Sequence, residues 1–355
     1  MHIINKYLAR EVYAAMLVVI VVLLAILVSQ QFVRFMQMAA TGSFPGAGIK
    51  VLLLLQLPIL SAVLLPASLF LGILLAYGRL YADSEMTILI ACGVSPSRLL
   101  KITFGFSAIV MIMVALLSLW INPQIYHYSD KIMAGAVVKS IADIARPNSF
   151  VPLADGKMVF YVDSASKDKD KARFSQIFVA QQLDTDSVVT AKSAYQKIDP
   201  KTGDLYMVLL DGYRYVGKPG QKDYETTKYD EYAVRMPQNS IKKAGDESSK
   251  TTLELWQNRH ESKAGAELHW RIALPLSALI LTILSIPLSR IEPRHGRYAK
   301  LIPAILLYVT YANFLFLAKT WIKNGTLPIF LGMWWVHLLM LTIALFLFAR
   351  QKGKA

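Results

Sequence analysis

Six long apolar runs punctuate the chain, near Val12–Met36, Ile49–Tyr77, Ile102–Ile121, Ile272–Ser289, Leu301–Ala318 and Pro328–Phe348. Each holds enough apolar residues to cross a hydrocarbon layer roughly 30 Å thick as a helix. Pro58 and Pro66 predict kinks in the second. The first is longer than a signal-peptide core and continues into helix-compatible QQFVRFMQM, so it reads as an uncleaved span. A shorter apolar stretch, Asp83 to Cys92, cannot cross a bilayer yet is too greasy for a solvated loop. Asp83 or Ser84 can cap its start, Gly93 can close it in a left-handed conformation, and Ser95-Pro96 opens the next segment as N-cap and first helical residue. The pattern predicts a short helix with Glu85 near its N-terminus and Met86, Ile88, Leu89 and Ile90 along it. Such a helix at a membrane boundary must be covered, and another protein is the expected cover.

The period changes between the third and fourth runs. Pro123 to Ala145 predicts a helix that extends the third span before Pro147. Strand signals follow: FVPL, a turn at Asp155-Gly156, KMVFYV, SQIFVAQQL, SVVTAKSAYQKI, a turn at DPKTGD, LYMVLL, a turn at Asp211-Gly212, YRYVG and YETTKYDEYAV. Apolar residues alternate in some and run continuously in LYMVLL, as in a two-layer sandwich or rolled sheet. The KDKDK run, 167–171, reads as a solvated hairpin loop. From Thr251 the pattern turns helical again, and Glu267 can pair with Arg271 one turn on.

Composition sharpens this picture. Hydrophobic residues fill 55% of 355 positions and charged residues 17%, the balance of an integral membrane protein. The net charge of +14 would suit nucleic acid if it were gathered on a soluble domain. Instead, residues 122–270 hold 21 Lys/Arg against 20 Asp/Glu, and the rest holds 17 against 4. The excess therefore sits around the spans, where it reports orientation. Lys6, Arg10, Arg79, Arg98, Lys101 and the basic residues of 290–300 and 350–354 mark one side, and only Arg34, Lys50, Lys319 and Lys323 mark the other. Both termini are expected in the cytoplasm and the insertion outside. The expected fold is an α-helical membrane protein of six transmembrane helices with an inserted all-β domain. Residues 1–121 carry helices one to three and the short helix 83–92, residues 122–270 the insertion with helical flanks, and residues 271–355 helices four to six.

Enzymatic chemistry is missing. There is no phosphate-binding loop, HExxH, CxxC or GxSxG, and the six histidines lack ligand spacing. Cys92 is the only cysteine and reads as a small packed residue. Within the predicted spans His337 is the main ionisable residue, with Arg34 and Lys319 near ends, which leaves no proton or ion relay. Energy for transport would have to come from another subunit.

The N-terminal INKYLAREV, the span-two exit LFLGILLAYGRLYADSEMTILIACGVS, the re-entry AELHWRIALPLS and the segment EPRHGRYAKLIPAILLYV together resemble the LptF/LptG family of lipopolysaccharide export permeases. The YADSE…ACG wording lies on the LptF side. The resemblance implies pairing with the paralogous permease LptG, docking on two copies of the ATPase LptB, and a periplasmic β-jelly roll in line with LptC and LptA in the bacterial inner membrane. It implies that this chain binds no cofactor of its own, ATP and Mg residing on LptB. Glu85 takes the place of the family's coupling glutamate, with Ser84, Met86, Ile88 and Leu89 around it on the docking helix. Arg34 takes a place where family members set basic residues against lipid A phosphates, though it could equally be a snorkelling anchor. Gln31 stands one turn earlier where a lysine is frequent, and Lys319 or Lys323 could replace that charge. Span one, and span five with Tyr308, Tyr311, Phe314 and Phe316, resemble lateral-gate helices. A membrane-anchored assembly or sensor protein without transport is the alternative.

Overall fold

The computed structural model describes residues 2–40, 48–132, 149–153, 158–168, 171–182, 186–198, 205–217, 225–235, 247–290 and 301–352. Helix α1 is His2–Ala40 and α2 is Ile49–Ala82, with α3, Glu85–Ala91, two residues beyond. Helix α4, Pro96–Ile132, passes through a π-helical turn at Leu117–Ile121. After the strands come α5 (Thr252–Gln257), α6 (Ser262–Ser289), α7 (Leu301–Lys323) and α8 (Trp334–Lys352).

Among the described residues, five helices are long and apolar enough to cross a membrane. The sixth span begins later than the apolar run suggests, because residues 328–333 form turns and the helix starts at Trp334. Its 19 residues still reach roughly 28 Å at 1.5 Å each. Pro58 and Pro66 both sit inside α2, and Ser61 and Ser68 hydroxyls donate to the carbonyls of Leu57 and Leu65 along it. The helix expected over Pro123–Ala145 is described as far as Ile132, and the rest lies outside the described residues.

The chain divides into two compact units: 1–33, 51–129 and 245–355, and 34–50 with 130–244. In the first, α2 and α6 are the most buried spans. One apolar core joins Leu8, Val12 and Met16 of α1 to Leu69, Ile73, Tyr77 and Leu80 of α2, Met86 of α3 and Phe106 and Val110 of α4. A second joins Phe70 to Leu281 and Leu284 of α6, Tyr311 and Leu315 of α7, and Val336 and Met340 of α8.

Among the described residues of the second unit, six strands form one antiparallel sheet in sequential order: β1 Ser149–Leu153, β2 Met158–Asp168, β3 Lys171–Gln182, β4 Asp186–Ile198, β5 Leu205–Val216 and β6 Glu225–Arg235. This is the inserted all-β domain, built as a meander. Greek-key crossovers of a closed jelly roll are not among the described residues. Two local expectations change. KDKDK belongs mostly to strands, since Asp168 pairs with Lys171 and only two residues connect them. Asp211-Gly212 is no hairpin turn but lies within β5, where Asp211 takes φ 53° and the strand continues beyond it. The turns expected at Asp155-Gly156 and in 199–204 lie outside the described residues.

The reason is a crease across the sheet. Pairing is unbroken in register yet skips Asp163, Gln176, Lys192, Asp211 and Asp230, which stand opposite one another on β2 to β6. Gln176 also has positive φ, 48°. On β3 the buried side switches from Phe174 to Ile177 and Val179, and on β4 from Val189 and Ala191 to Ala194. The residue spent at the crease reverses the alternation, as a bulge would.

Candidate functional site

The α2–α3–α4 connection is built by three local devices. Helix α2 ends with Asp83 N–H donating to Arg79 O and Ser84 N–H to Tyr81 O. Ser84 then takes φ 62° and makes no side-chain cap bond. The expected Ser84 cap is thus corrected: with two residues between helices, its conformation is used to terminate α2. Gly93 closes α3 at φ 93°, with its N–H on Ile90 O and Val94 N–H on Leu89 O. Ser95 accepts from Arg98 N–H at 3.3 Å with Pro96 in the first turn of α4, as the sequence predicts.

The result is a fixed platform. Met86 is fully buried in the α1–α2–α4 core, Leu89 is half-buried, and Ile88 and Ile90 stay 60% and 38% exposed. Cys92 is exposed, so its reading as a packed residue does not hold. Glu85 is half-buried, and its Oε2 accepts from the Tyr7 hydroxyl of α1 at 2.6 Å. One turn along α1, Glu11 Oε2 accepts from Arg79 Nη2 at 2.6 Å. Neither Tyr7 nor Glu11 was singled out as a site residue from sequence. The available signal was their i, i+4 spacing beside Leu8 and Val12, which puts them on the flank of the buried stripe.

Arg34 is exposed on α1, and Gln31, one turn earlier, is half-buried. Lys323 is exposed at the end of α7. Lys319 is already engaged: its Nζ lies 2.8 Å from Glu267 Oε2 and 4.8 Å from the Trp270 ring centroid. Of the aromatic residues, Tyr308 stacks on Phe70 and Phe314 lies against Trp335, both turned towards the bundle. Tyr311 is buried with its hydroxyl 2.7 Å from His337 Nδ1. Phe316 covers Trp270 at 4.7 Å and stays half exposed. The open face of α7 carries the aliphatic Ile302, Ile305, Leu306, Val309 and Leu317, with Phe316 and Trp321 exposed towards its end.

An ionic cluster at the start of α6 is richer than the sequence suggested. Glu267 and Arg271 are only 7% and 3% exposed, and Arg271 Nε donates to Glu267 Oε1 at 3.2 Å. Arg271 Nη1 donates to Thr252 Oγ1 at 3.0 Å, and Nη2 faces the carbonyls of Glu247, Ser248 and Lys250 at 3.3, 3.0 and 3.0 Å. Thr252 in turn donates to Leu119 O inside the π turn of α4, and Ser118 Oγ donates to Arg271 O at 3.0 Å. One guanidinium thus fastens the segment before α5 to α6, and α4 completes the knot. The expected Glu267–Arg271 pair is present, but inside a span-length helix rather than ahead of one.

The sequence matches the family model for the lipopolysaccharide export system permease LptF/LptG over residues 6–350. It is 30% identical over 353 residues to the lipopolysaccharide export system permease protein LptF of Escherichia coli (strain K12), covering 97% of this chain and 94% of that protein. The same figures hold for LptF of Escherichia coli O157:H7 and of Shigella flexneri. A likeness of this extent takes in the helices and the inserted sheet alike, and it does not favour a mere anchor or sensor. The chain belongs to the family of lipopolysaccharide export system permeases LptF/LptG.

Proposed function

We propose that this lipopolysaccharide export permease works as one half of a permease pair in the bacterial inner membrane. Its termini and α3 face the cytoplasm, and its sheet faces the periplasm. Helix α3 docks on a separate ATPase that supplies ATP and Mg chemistry. One observation carries the docking: a short helix fixed at both ends, with Met86 buried and Ile88 and Ile90 left uncovered beside the Glu85 carboxylate. The Lys/Arg excess on the same side supports the orientation. LptG is the paralogous partner, two LptB subunits the ATPase, and LptC and LptA the periplasmic continuation. Among the described residues β1 and β6 are the edge strands, and they offer backbone for strand addition.

Purification of the full chain in detergent is expected to bring down an ATPase and a paralogous permease. Glu85→Ala should weaken ATPase docking by about 3–5 kcal/mol, the cost of leaving a partly desolvated partner charge unpaired. Assembly, ATP hydrolysis and export all at wild-type level would remove Glu85 from the interface.

Helices α1 and α7 carry the lipid path in this reading. Their long aliphatic faces, Leu17, Val18, Val21 and Val22 on one and Ile302, Leu306 and Val309 on the other, support it. Arg34 holds a lipid phosphate through its planar fork. Photo-crosslinkers on both faces are expected to capture lipopolysaccharide, and Arg34→Glu to cut capture roughly tenfold, since a charge-assisted bond is worth at least that factor. No capture from either face removes the lipid path, and capture unaffected by the charge reversal leaves Arg34 as an interfacial anchor.

A further inference from the structure

Helix α1 is buried near its start and again at Phe35, with a long uncovered stretch between. Its buried residues in the bundle are Leu8, Val12 and Met16, a single stripe at i, i+4, i+8. At Met16 it crosses α2 so closely that a Cβ on Gly72 would lie 2.9 Å from Met16 Cα. Beyond that crossing no residue from Leu17 to Val33 is buried, and Leu17 and Val18 are each 62% exposed. The arm from Met16 to Arg34 spans 18 residues, roughly 27 Å of helix.

On the other side of the crossing, two polar ties fasten α1 to the platform. Tyr7 donates to Glu85 on α3, and Glu11 accepts from Arg79 in the last turn of α2, just before α3. Tyr13 adds a third, donating to Phe106 O of α4 at 2.8 Å. Among these, the Tyr7 bond alone joins α1 directly to α3. Carbon-to-carbon packing at Leu8, Val12 and Met16 tolerates sliding, whereas a short bond to a carboxylate fixes position.

We infer that Tyr7 and Glu11 are positioning residues that yoke α1 to α3. Displacement of α3 then turns α1 about the Met16–Gly72 crossing and swings its uncovered arm. The bond gives α3 a second route into the membrane, independent of pulling on α2 and α4 along their own axes. The inference rests on the reading of α3 as the ATPase-docking helix.

The test uses the whole complex, with the paralogous permease and the ATPase, reconstituted in proteoliposomes containing lipopolysaccharide. The readout is lipid released per ATP hydrolysed, a ratio that a loss of folded complex would not move. Tyr7→Phe is expected to lower this ratio roughly tenfold, the scale of a lost hydrogen bond to a charged group. Glu11→Arg and Arg79→Glu should each lower it, and the double exchange should restore it. A Tyr7→Phe ratio within about twofold of wild type overturns the Tyr7 yoke, and a double exchange no better than either single overturns the Glu11 role. A fall in assembled complex at unchanged ratio also counts against both, since it leaves only a structural contact. Glu85→Ala in the same vesicles separates the two levels. If it is silent, the docking reading itself fails. If it lowers hydrolysis or assembly while the Tyr7 and Glu11 variants are silent, only the yoke fails.

Discussion

Arg271→Met is expected to release the segment 247–252 from the helical bundle and to cost about 3–5 kcal/mol, the range for stripping one partner from a buried ion pair. The side chain it removes is 3% exposed and serves Glu267, the Thr252 hydroxyl and three backbone carbonyls. Methionine fills similar volume, so the cost arises from unsatisfied acceptors and not from a cavity. Glu267 keeps Lys319 as a partner, which bounds the loss from above. Limited trypsin digestion of the detergent-solubilised chain reads the result at Lys250. That lysine bonds to Glu247 one turn back, an interaction that raises its pKa and keeps it charged. Cleavage after Lys250 should accelerate at least tenfold in Arg271→Met, in proportion to the opened population. Arg271→Lys should behave almost as badly, because an ammonium cannot serve the Nε and both Nη directions at once. Wild-type cleavage in both variants would mean the knot contributes little.

That cluster also shows where the sequence stops being readable. Five span-length helices, a shorter sixth apolar helix, the inserted β domain and the short helix after Arg79 were all legible, because each follows from a hydrophobic period or a capping residue. Glu267 and Arg271 were legible as an i, i+4 pair. Their depth was not, since it depends on residues 247–252 folding back onto α6, a contact with no local signal. Ser84 misled as a cap because cap propensity is the same whether a serine starts one helix or must end the one before it. The Tyr7–Glu85 bond joins residues 78 apart in sequence, and only the packing of α1 on α2 brings them together. The aromatic residues of span five were read as gate residues from the family resemblance alone. Yet Tyr308, Tyr311 and Phe314 turn into the bundle while mainly aliphatic residues take the open face, because aromatic rings fill the wide spaces between helices. In the sheet, alternation failed as a guide to the inner face for a definable reason. The crease reverses it midway along β3 and β4, so a single phase assigned to each strand puts half the residues on the wrong side.

The same crease yields the second large effect. Gly212 follows Asp211 on β5 and lies under Tyr229, whose hydroxyl donates to Thr190 O at 2.7 Å. A Cβ built on Gly212 would fall 2.0 Å from Thr190 O and 2.4 Å from the Tyr229 hydroxyl oxygen. The nearer atom is backbone of the neighbouring strand, so relief requires β4 and β5 to part at this point. Gly212→Ala is therefore expected to cost about 3 kcal/mol or more, above the usual range for one inserted methyl, because it also breaks the Tyr229 bond. Burial, with a smaller push from Tyr232, raises the Tyr229 pKa to about 12, so the phenol remains a neutral donor across the physiological range. Alkaline conditions up to pH 9 should accordingly leave this bond intact. Hydrogen exchange on the full-length protein reads the substitution directly: amides of Val188–Ala191 and Tyr213–Tyr215 should lose at least a hundredfold of protection, while those of α2 and α6 hold theirs. Tyr229→Phe added to Gly212→Ala should not rescue, since the 2.0 Å clash with Thr190 O persists without the hydroxyl. Gly105→Ala in α4 is the control, because nothing lies within 4 Å of its Cβ and helix propensity favours alanine. If Gly212→Ala keeps wild-type protection in β4 and β5, the close approach at the crease is not a constraint on the sheet. The crease would then be a bend that the strands tolerate, and the glycine at its edge would be replaceable.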